Sequence, residues 1–136
     1  MKDLVFTTQV RVRYMEVDQS GFVYNGHYAT YYEVGRTEAL RSMGSTYKKM
    51  EESGIVMPLV NQYFRYHKPA KYDDLLTITT RIPHMPEARI RFEYEIHNQN
   101  GELLNTGYNE LMFLNIKRQR PQRAPDWFIE LMKEHK

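Results

Sequence analysis

Hydrophobic and polar residues alternate along the first part of the chain, and the alternation then gives way to a longer period. Over residues 5–14, every second side chain is apolar or aromatic or is Thr8, which predicts a half-buried strand. From about Tyr28 the spacing becomes helical, and one face of the predicted helix carries Tyr28, Tyr31, Tyr32, Gly35 and Ala39. Gly35 and Ala39 have little or no side chain, so we expect a sheet to approach this helix closely.

Four further strands and two further helices are predicted after this helix. Gly44 ends the helix, and Ser45 is expected to cap a short second helix that runs through Glu52. The strands are 55–67, which Pro58 interrupts, then Leu75–Ile82, 88–96 and about 102–116. Residues 98–101 form a hairpin turn, and 125–134 form a terminal helix. A run of strands after one long helix indicates an α+β domain with an antiparallel sheet, here a single domain over residues 1–136.

Composition and charge exclude several classes of protein. The 136 residues are 41% hydrophobic and 26% charged, with a net charge of +2 that implies no nucleic-acid partner. There is no cysteine, which removes disulfides and thiolate chemistry and fits a cytoplasmic location. No secretory signal or transmembrane segment is expected. The histidines show no metal-binding spacing, so the sequence predicts neither a metal nor a cofactor.

The segment from Asp18 to Tyr28 is the strongest candidate for chemistry. An isolated carboxylate precedes a glycine turn at Gly21, and the turn leads into the tyrosine-rich helix. A helix N-terminus presents N–H groups without intrahelical partners, and its dipole favours negative charge. This order of residues therefore places an acid beside groups that can hold an oxyanion, which are the two parts that carbonyl chemistry needs.

Each residue of this segment also has a structural interpretation. Asp18 is a common turn residue, and Asn25 is a good N-cap whose backbone N–H can still serve as an oxyanion donor. His27 has no visible partner acid for a role as general base. Glu33 lies two turns into the helix, where it either faces the same cavity or is solvated.

Two motifs and two shorter segments of this chain resemble the hotdog-fold thioesterases. Residues 14–28, YMEVDQSGFVYNGHY, are similar to the family pattern Tyr-x-x-x-Asp-x-x-Gly-x-Val-x-x-x-x-Tyr. Residues 66–76, YHKPAKYDDLL, are similar to a second pattern of the family at the entry to a strand, and residues 91–95 and 100–104 are similar too. The resemblance is to the 4-hydroxybenzoyl-CoA thioesterase-like acyl-CoA thioesterases, including the branch associated with the Tol-Pal gene cluster. That branch usually has histidine where Asn25 stands.

The resemblance implies a fold, an assembly and a reaction. The fold is a long central helix wrapped by a five-stranded antiparallel sheet, and the assembly is a homodimer joined through sheet edges or a homotetramer. The reaction is hydrolysis of an acyl-CoA to the free acid and CoA, with Asp18 as nucleophile or general base for water. The backbone N–H at Asn25 takes the oxyanion role, and Tyr14 lies beside the site.

We further expect a set of residues to contact the substrate. Glu33 matches a helix position that touches the acyl group in one branch of the family. Met57 and Asn61 are expected to set the length of the pocket, and arginines are suited to the CoA phosphates. The expected contacts are Glu33, Tyr24, Gly26, His27, Met57, Asn61, Arg89 and Arg91.

Two alternatives remain open from the sequence. The chain either hydrolyses an acyl group carried by an acyl-carrier protein or is a non-catalytic module that binds acyl-CoA. The Asp18 carboxylate argues against the second, because a binding module has no need of an acid beside the oxyanion site.

Overall fold

The computed structural model of the protein describes residues 3–135, so Met1, Lys2 and Lys136, including part of the N-terminal segment assessed for a signal, lie outside the described residues. The long strands are β1 (Leu4–Arg11), β3 (Leu59–Tyr66), β4 (Leu75–Ile82), β5 (Arg89–His97) and β6 (Leu103–Asn115). Two short strands are β2 (Ile55–Val56) and β7 (Arg120–Gln122). The helices are α1 (His27–Ser42), α2 (Tyr47–Glu52) and α3 (Asp126–Lys133). None of the helices in residues 3–135 is long and apolar enough to cross a membrane.

The strands form one antiparallel sheet, and the long strands lie in the order β1, β4, β5, β6 and β3. The short strands β2 and β7 pair with the end of β6. In β4 and β5 every second residue is buried, which is the pattern of a sheet with one face on the core. Helix α1 packs against β1, β4 and β5 and contributes buried tyrosines to that core.

The expectation of five strands is wrong in detail, because the sheet has seven strands within residues 3–135. Pro58 has no N–H to donate, and the predicted strand 55–67 is divided there into β2 and β3. Strand β7 lies between the last predicted strand and the predicted terminal helix, where the sequence predicts no element. The chain reverses after Ile116, with Gln119 at a φ of 55°, and Arg120 then pairs with Asn115.

The first strand and the second helix begin or end differently from the prediction. Strand β1 ends at Arg11, because the Glu16 carboxylate accepts the Arg13 N–H at 2.8 Å and closes a short 3-10 helix over Tyr14–Glu16. The cap of α2 is Thr46 rather than Ser45, since the Thr46 hydroxyl accepts the Lys49 N–H at 3.0 Å. A side-chain acceptor three residues from a free N–H marks both boundaries: Glu16 lies after its donor, and Thr46 lies before its donor.

The close approach of the sheet to α1 is confirmed at Gly35. A Cβ atom on Gly35 would lie 2.5 Å from the Thr80 hydroxyl and 2.8 Å from an Ile78 methyl group, both on β4. Next to this contact the rings of Tyr32 and Tyr94 stack with centroids 4.0 Å apart. Glycine at position 35 therefore sets the distance between α1 and the sheet.

We predict that Gly35→Ala lowers the free energy of unfolding by about 2 kcal/mol, since overpacking against β4 outweighs the gain in helix propensity of about 1 kcal/mol. Thr30→Ala, on an exposed position of the same helix, is the matched control and should be neutral or slightly stabilising. Denaturant unfolding of both variants measures the difference. A Gly35→Ala protein more stable than the Thr30→Ala protein would contradict the close contact.

Candidate functional site

Residues 16–24 form a small hairpin that presents Asp18 near its tip. The Asp18 N–H donates to Phe22 O and the Tyr24 N–H donates to Glu16 O, each at 2.9 Å, with Val17 and Val23 bridged between them. Gly21 has a φ of 86°, and its N–H donates to Asp18 O at 3.0 Å to close the turn. A residue with a side chain would be strained at that φ, so glycine is required here.

The hairpin is held against the loop before β4. The Val23 N–H donates to Ala70 O at 2.9 Å, and the Ala70 N–H donates to the Tyr28 hydroxyl of α1 at 3.3 Å. Phe22 bridges to Lys71 in the same loop. The hairpin and the start of α1, which are neighbours in sequence, therefore meet a loop that is distant in sequence.

A cavity of about 300 Å³ lies where they meet. Buried Val23 and Tyr28 form part of its wall, and the other lining residues are exposed. The complete lining is Asp18, Ser20, Phe22, Val23, Asn25, Tyr28, Tyr66, His67, Lys68 and Pro69.

The Asp18 carboxylate is exposed, and within residues 3–135 only one of its two oxygens accepts hydrogen bonds. Its Oδ1 accepts the Ser20 N–H at 2.8 Å and also the Ser20 hydroxyl, whereas Oδ2 accepts no hydrogen bond from the part of the chain that the structure describes. The Ser20 hydroxyl and then the Ser20 N–H lower the pKa of Asp18, because both bonds favour the ionised form. Asp18 is thus a carboxylate at neutral pH with one oxygen turned to the solvent.

The N-terminus of α1 provides the second part of the site. The helix begins at His27, and Gly26 rather than the predicted Asn25 is its N-cap, with no side-chain capping bond. The His27 N–H donates to Tyr24 O and the Tyr28 N–H to Asn25 O. Within residues 3–135, the N–H groups of Asn25 and Gly26 have no acceptor, which leaves two donors at the helix end beside the cavity.

The residues predicted for the site fall into three groups. Asp18 and Asn25 line the cavity. Tyr24, Gly26 and His27 lie next to it, and a Cβ on Gly26 would be 2.7 Å from the Tyr24 ring, which itself meets the His27 ring edge to face. The remaining predicted residues do not line this cavity within one protomer: Tyr14, Glu33, Met57, Asn61, Arg89 and Arg91.

The distant residues have other neighbours. Tyr14 is 79% exposed and meets Tyr72 edge to face, and Glu33 is exposed on α1. Met57 is buried in the hydrophobic core.

The three polar residues of this group lie together on β3 and β5. Asn61 donates to Glu110 at 2.8 Å, and Arg89 lies 3.8 Å from the same carboxylate. Arg91 pairs with Glu93 at 3.0 Å and lies over the ring of Tyr108.

Sequence reasoning missed several residues of the cavity. Ser20 lowers the pKa of Asp18 although it carries no motif signal. Tyr66, His67 and Pro69 belong to the second motif, which indicates the family but does not by itself place these residues at the site. Their position follows from the meeting of this loop with the hairpin, which the sequence does not state. In the part of the chain that the structure describes, no three histidine or acidic side chains are placed to hold a metal ion.

The fold and the site define a thioesterase-like protein. A family model described as the thioesterase-like superfamily matches residues 12–132, and the chain belongs to that family. Among curated relatives, a protein named YneP from Bacillus subtilis is 30% identical over 94% of this chain and 96% of its own length. Acyl-CoA thioester hydrolase YbgC from Escherichia coli is 28% identical over 98% of this chain and 100% of its own length.

A solved structure agrees with these relatives. The DHNA-CoA thioesterase of Staphylococcus aureus superposes with a TM-score of 0.88 and 32% identity, covering 96% of this chain and 89% of that one. The predicted family is therefore confirmed, while its Tol-Pal-associated branch stays a prediction.

We predict that Ser20→Ala raises the pKa of Asp18 toward the usual range of an aspartate, because the variant removes the hydroxyl that most favours the ionised form. The Ser20 N–H remains, so the increase is partial. Carboxyl chemical shifts of Asp18 followed through a pH titration measure it. Ser42→Ala, a serine of the far end of α1, is the control, and equal Asp18 titrations in the two variants would contradict the assignment.

Proposed function

We propose that this chain is an acyl-CoA thioesterase that hydrolyses its substrate in the cavity between Asp18 and the N-terminus of α1. The observation that carries the proposal is that one cavity is lined by Asp18, an ionised carboxylate with a free oxygen, and by Asn25, whose N–H and that of the next residue, Gly26, have no acceptor among residues 3–135. Relatives of this chain are named acyl-CoA thioester hydrolase and DHNA-CoA thioesterase, which fits this chemistry. A thioester is already activated, so the reaction needs no metal or cofactor.

In the proposed mechanism the thioester oxygen lies against the Asn25 and Gly26 N–H groups. These donors and the helix dipole stabilise the negative charge that develops on that oxygen. Asp18 then attacks the carbonyl carbon or takes a proton from an attacking water. Its lowered pKa keeps it ionised, as both roles require. In the nucleophilic role the departure of the CoA thiolate leaves a mixed anhydride between the acyl group and Asp18, and water hydrolyses this anhydride to the free acid. In the general-base role the attacking water becomes part of the acid directly, and the CoA thiolate leaves and takes up the proton.

The distant predicted residues join the site if two copies of the chain pair through β3. This strand has β6 as its only partner among the described residues and exposes Leu59, Val60, Tyr63 and Tyr66, so its other edge is free. A twofold axis between Gln62 and Tyr63 would place Tyr66, which lines the cavity, opposite Leu59 of the partner subunit. Met57 of the partner subunit then lies close to the same cavity.

The same pairing accounts for the proposed arginines. Within one protomer, Leu59 of β3 pairs with Leu111 of β6, and Leu111 pairs with Ile90 of β5. Ile90 lies between the two arginines of β5. Arg89 and Arg91 of the partner subunit therefore lie two strands beyond the shared edge, and we propose that they bind the CoA phosphates. Arginine suits phosphate because it offers paired donors. The roles of Asn61, Tyr14 and Glu33 beside the acyl group rest on the resemblance alone.

Finer parts of the proposal follow from the resemblance. We assign α1 as the central helix of a hotdog fold in one domain over 1–136, and a homodimer or homotetramer in the cytoplasm as its working form. Asn25 in place of histidine separates this chain from the usual Tol-Pal-associated pattern but keeps the backbone donor. Comparing the turnover of acyl-CoA with that of acyl-carrier-protein substrates distinguishes an acyl-CoA thioesterase from an acyl-carrier-protein thioesterase. Binding of acyl-CoA without thiol release would instead identify a non-catalytic binding module.

We predict that Asp18→Ala and Asp18→Asn lower kcat for acyl-CoA hydrolysis by about a hundredfold or more, since a group that acts on the reacting carbon is lost. Thiol release from short, long and aromatic acyl-CoAs measures turnover. Asp73→Asn, a change at an exposed aspartate of the loop before β4, is the control and should retain full turnover. Full turnover by the Asp18→Ala protein would refute the mechanism.

We predict that Val60→Lys separates the subunits and abolishes turnover while the protomer stays folded. In the proposed pairing Val60 faces Arg65 of the partner subunit, so the variant opposes two like charges at the shared edge. Light scattering gives the mass, and thiol release gives the activity.

Val5→Lys is the matched control, because Val5 is an exposed valine on β1, the opposite edge of the sheet. This variant should remain oligomeric and active. A fully active monomer, whether of the original chain or of the Val60→Lys variant, would show that the site does not need a second copy.

A further inference from the structure

Glu16 is the only acidic residue that is buried among residues 3–135, with 3% of its surface exposed. It does not line the cavity, and the proposed reaction does not use it. An ionised carboxylate out of contact with water is costly unless its oxygens accept hydrogen bonds. A buried acid two residues before Asp18 therefore needs an explanation.

Both oxygens of Glu16 accept hydrogen bonds. Oε1 accepts the Arg13 N–H at 2.8 Å and the Tyr31 hydroxyl at 3.0 Å, and Oε2 accepts the Arg13 guanidinium at 3.2 Å. Burial and the adjacent carboxylate raise the pKa of Tyr31 far above its usual range, so its hydroxyl keeps its proton and stays a donor. The Tyr31 bond is buried, whereas the Arg13 side chain is 66% exposed. The bond between Tyr31 and Glu16 is therefore less screened by solvent than the contact of Glu16 with the Arg13 side chain.

Glu16 links the two halves of the site through its side chain and its backbone. Its carboxylate binds Tyr31, which lies one turn into α1, and its carbonyl accepts the Tyr24 N–H at 2.9 Å. Tyr24 directly precedes Asn25 at the start of α1, and Asp18 follows Glu16 on the first arm of the hairpin. Glu16 thus fixes the hairpin that carries the Asp18 carboxylate to the helix whose N-terminus carries the N–H donors.

We infer that Glu16 is a positioning residue, which sets the Asp18 carboxylate relative to the N-terminus of α1 through its bond with Tyr31. This inference rests on the proposed thioesterase function. The residue does not touch the substrate. A shift of about 1 Å in a reacting group costs up to a hundredfold in rate, so the loss of this bond acts on turnover more than on binding.

The experiment compares Glu16→Gln and Tyr31→Phe with Arg13→Gln. Glu16→Gln keeps the shape of the side chain but loses its charge, and Tyr31→Phe removes only the hydroxyl. Both should lower kcat about tenfold or more with KM changed by less than about threefold, because orientation and not substrate binding is lost. Arg13→Gln keeps the Arg13 N–H bond and alters an exposed group, so its kcat should stay within about threefold.

A double-mutant cycle with Asp18→Asn separates positioning from general damage to the fold. If Glu16 acts through Asp18, adding Glu16→Gln to Asp18→Asn lowers the residual kcat by less than about twofold. Binding of a thioether analogue of acyl-CoA, measured by calorimetry, should be unchanged in Tyr31→Phe. Equal losses from Glu16→Gln in the original and Asp18→Asn backgrounds would overturn the inference, as would kcat within twofold of the original in Tyr31→Phe.

The outcome for Glu16 is distinguishable from the outcome for the proposed function. The function fails if Asp18→Ala retains full turnover, whatever Glu16 does. The positioning role fails alone if Asp18→Ala is inactive while Glu16→Gln and Tyr31→Phe behave like Arg13→Gln.

Discussion

The contact between Gly35 and β4 fixes where α1 lies, and the site depends on that position. Because a Cβ at residue 35 would lie 2.5 Å from Thr80, the helix lies closer to the sheet than a larger residue would allow. The Tyr32 and Tyr94 rings stack beside this contact and fill the space around it. A helix held at this distance presents its N-terminus at one fixed point, where the hairpin of Asp18 meets the loop before β4. The chemistry thus follows from a packing constraint about two turns from the reacting atoms.

The backbone supplies most of the groups that form the site at the N-terminus of α1. The hairpin of residues 16–24 is a short ladder of backbone hydrogen bonds, and Gly21 allows its turn. It holds Asp18 outside the helix, so the carboxylate is not used to cap α1. The Asn25 and Gly26 N–H groups therefore remain free for a ligand. These two donors and the positive end of the helix dipole make the helix end a binding site for negative charge.

The sequence predicts the long elements and the leading acid, because periodicity and a carboxylate before a glycine turn are local signals. It assigns the cap of α1 to Asn25 instead of Gly26, since side-chain preference is a weak guide when the helix start is not capped by a side chain. Strand β7 is missed because its pairing with β6 is a tertiary contact. Ser20 and Glu16 are missed for a similar reason: their roles depend on partners that only folding brings near.

The central claim is that the substrate carbonyl lies between Asp18 and the N-terminus of α1. A crystal structure with a ketone analogue of acyl-CoA, in which a methylene group separates the sulfur from the carbonyl, tests it most directly. We expect the analogue's carbonyl oxygen about 3 Å from the Asn25 or Gly26 nitrogen, with the Asp18 carboxylate facing the carbonyl carbon. A carbonyl bound elsewhere, with neither N–H donating to it, would refute this placement of the substrate.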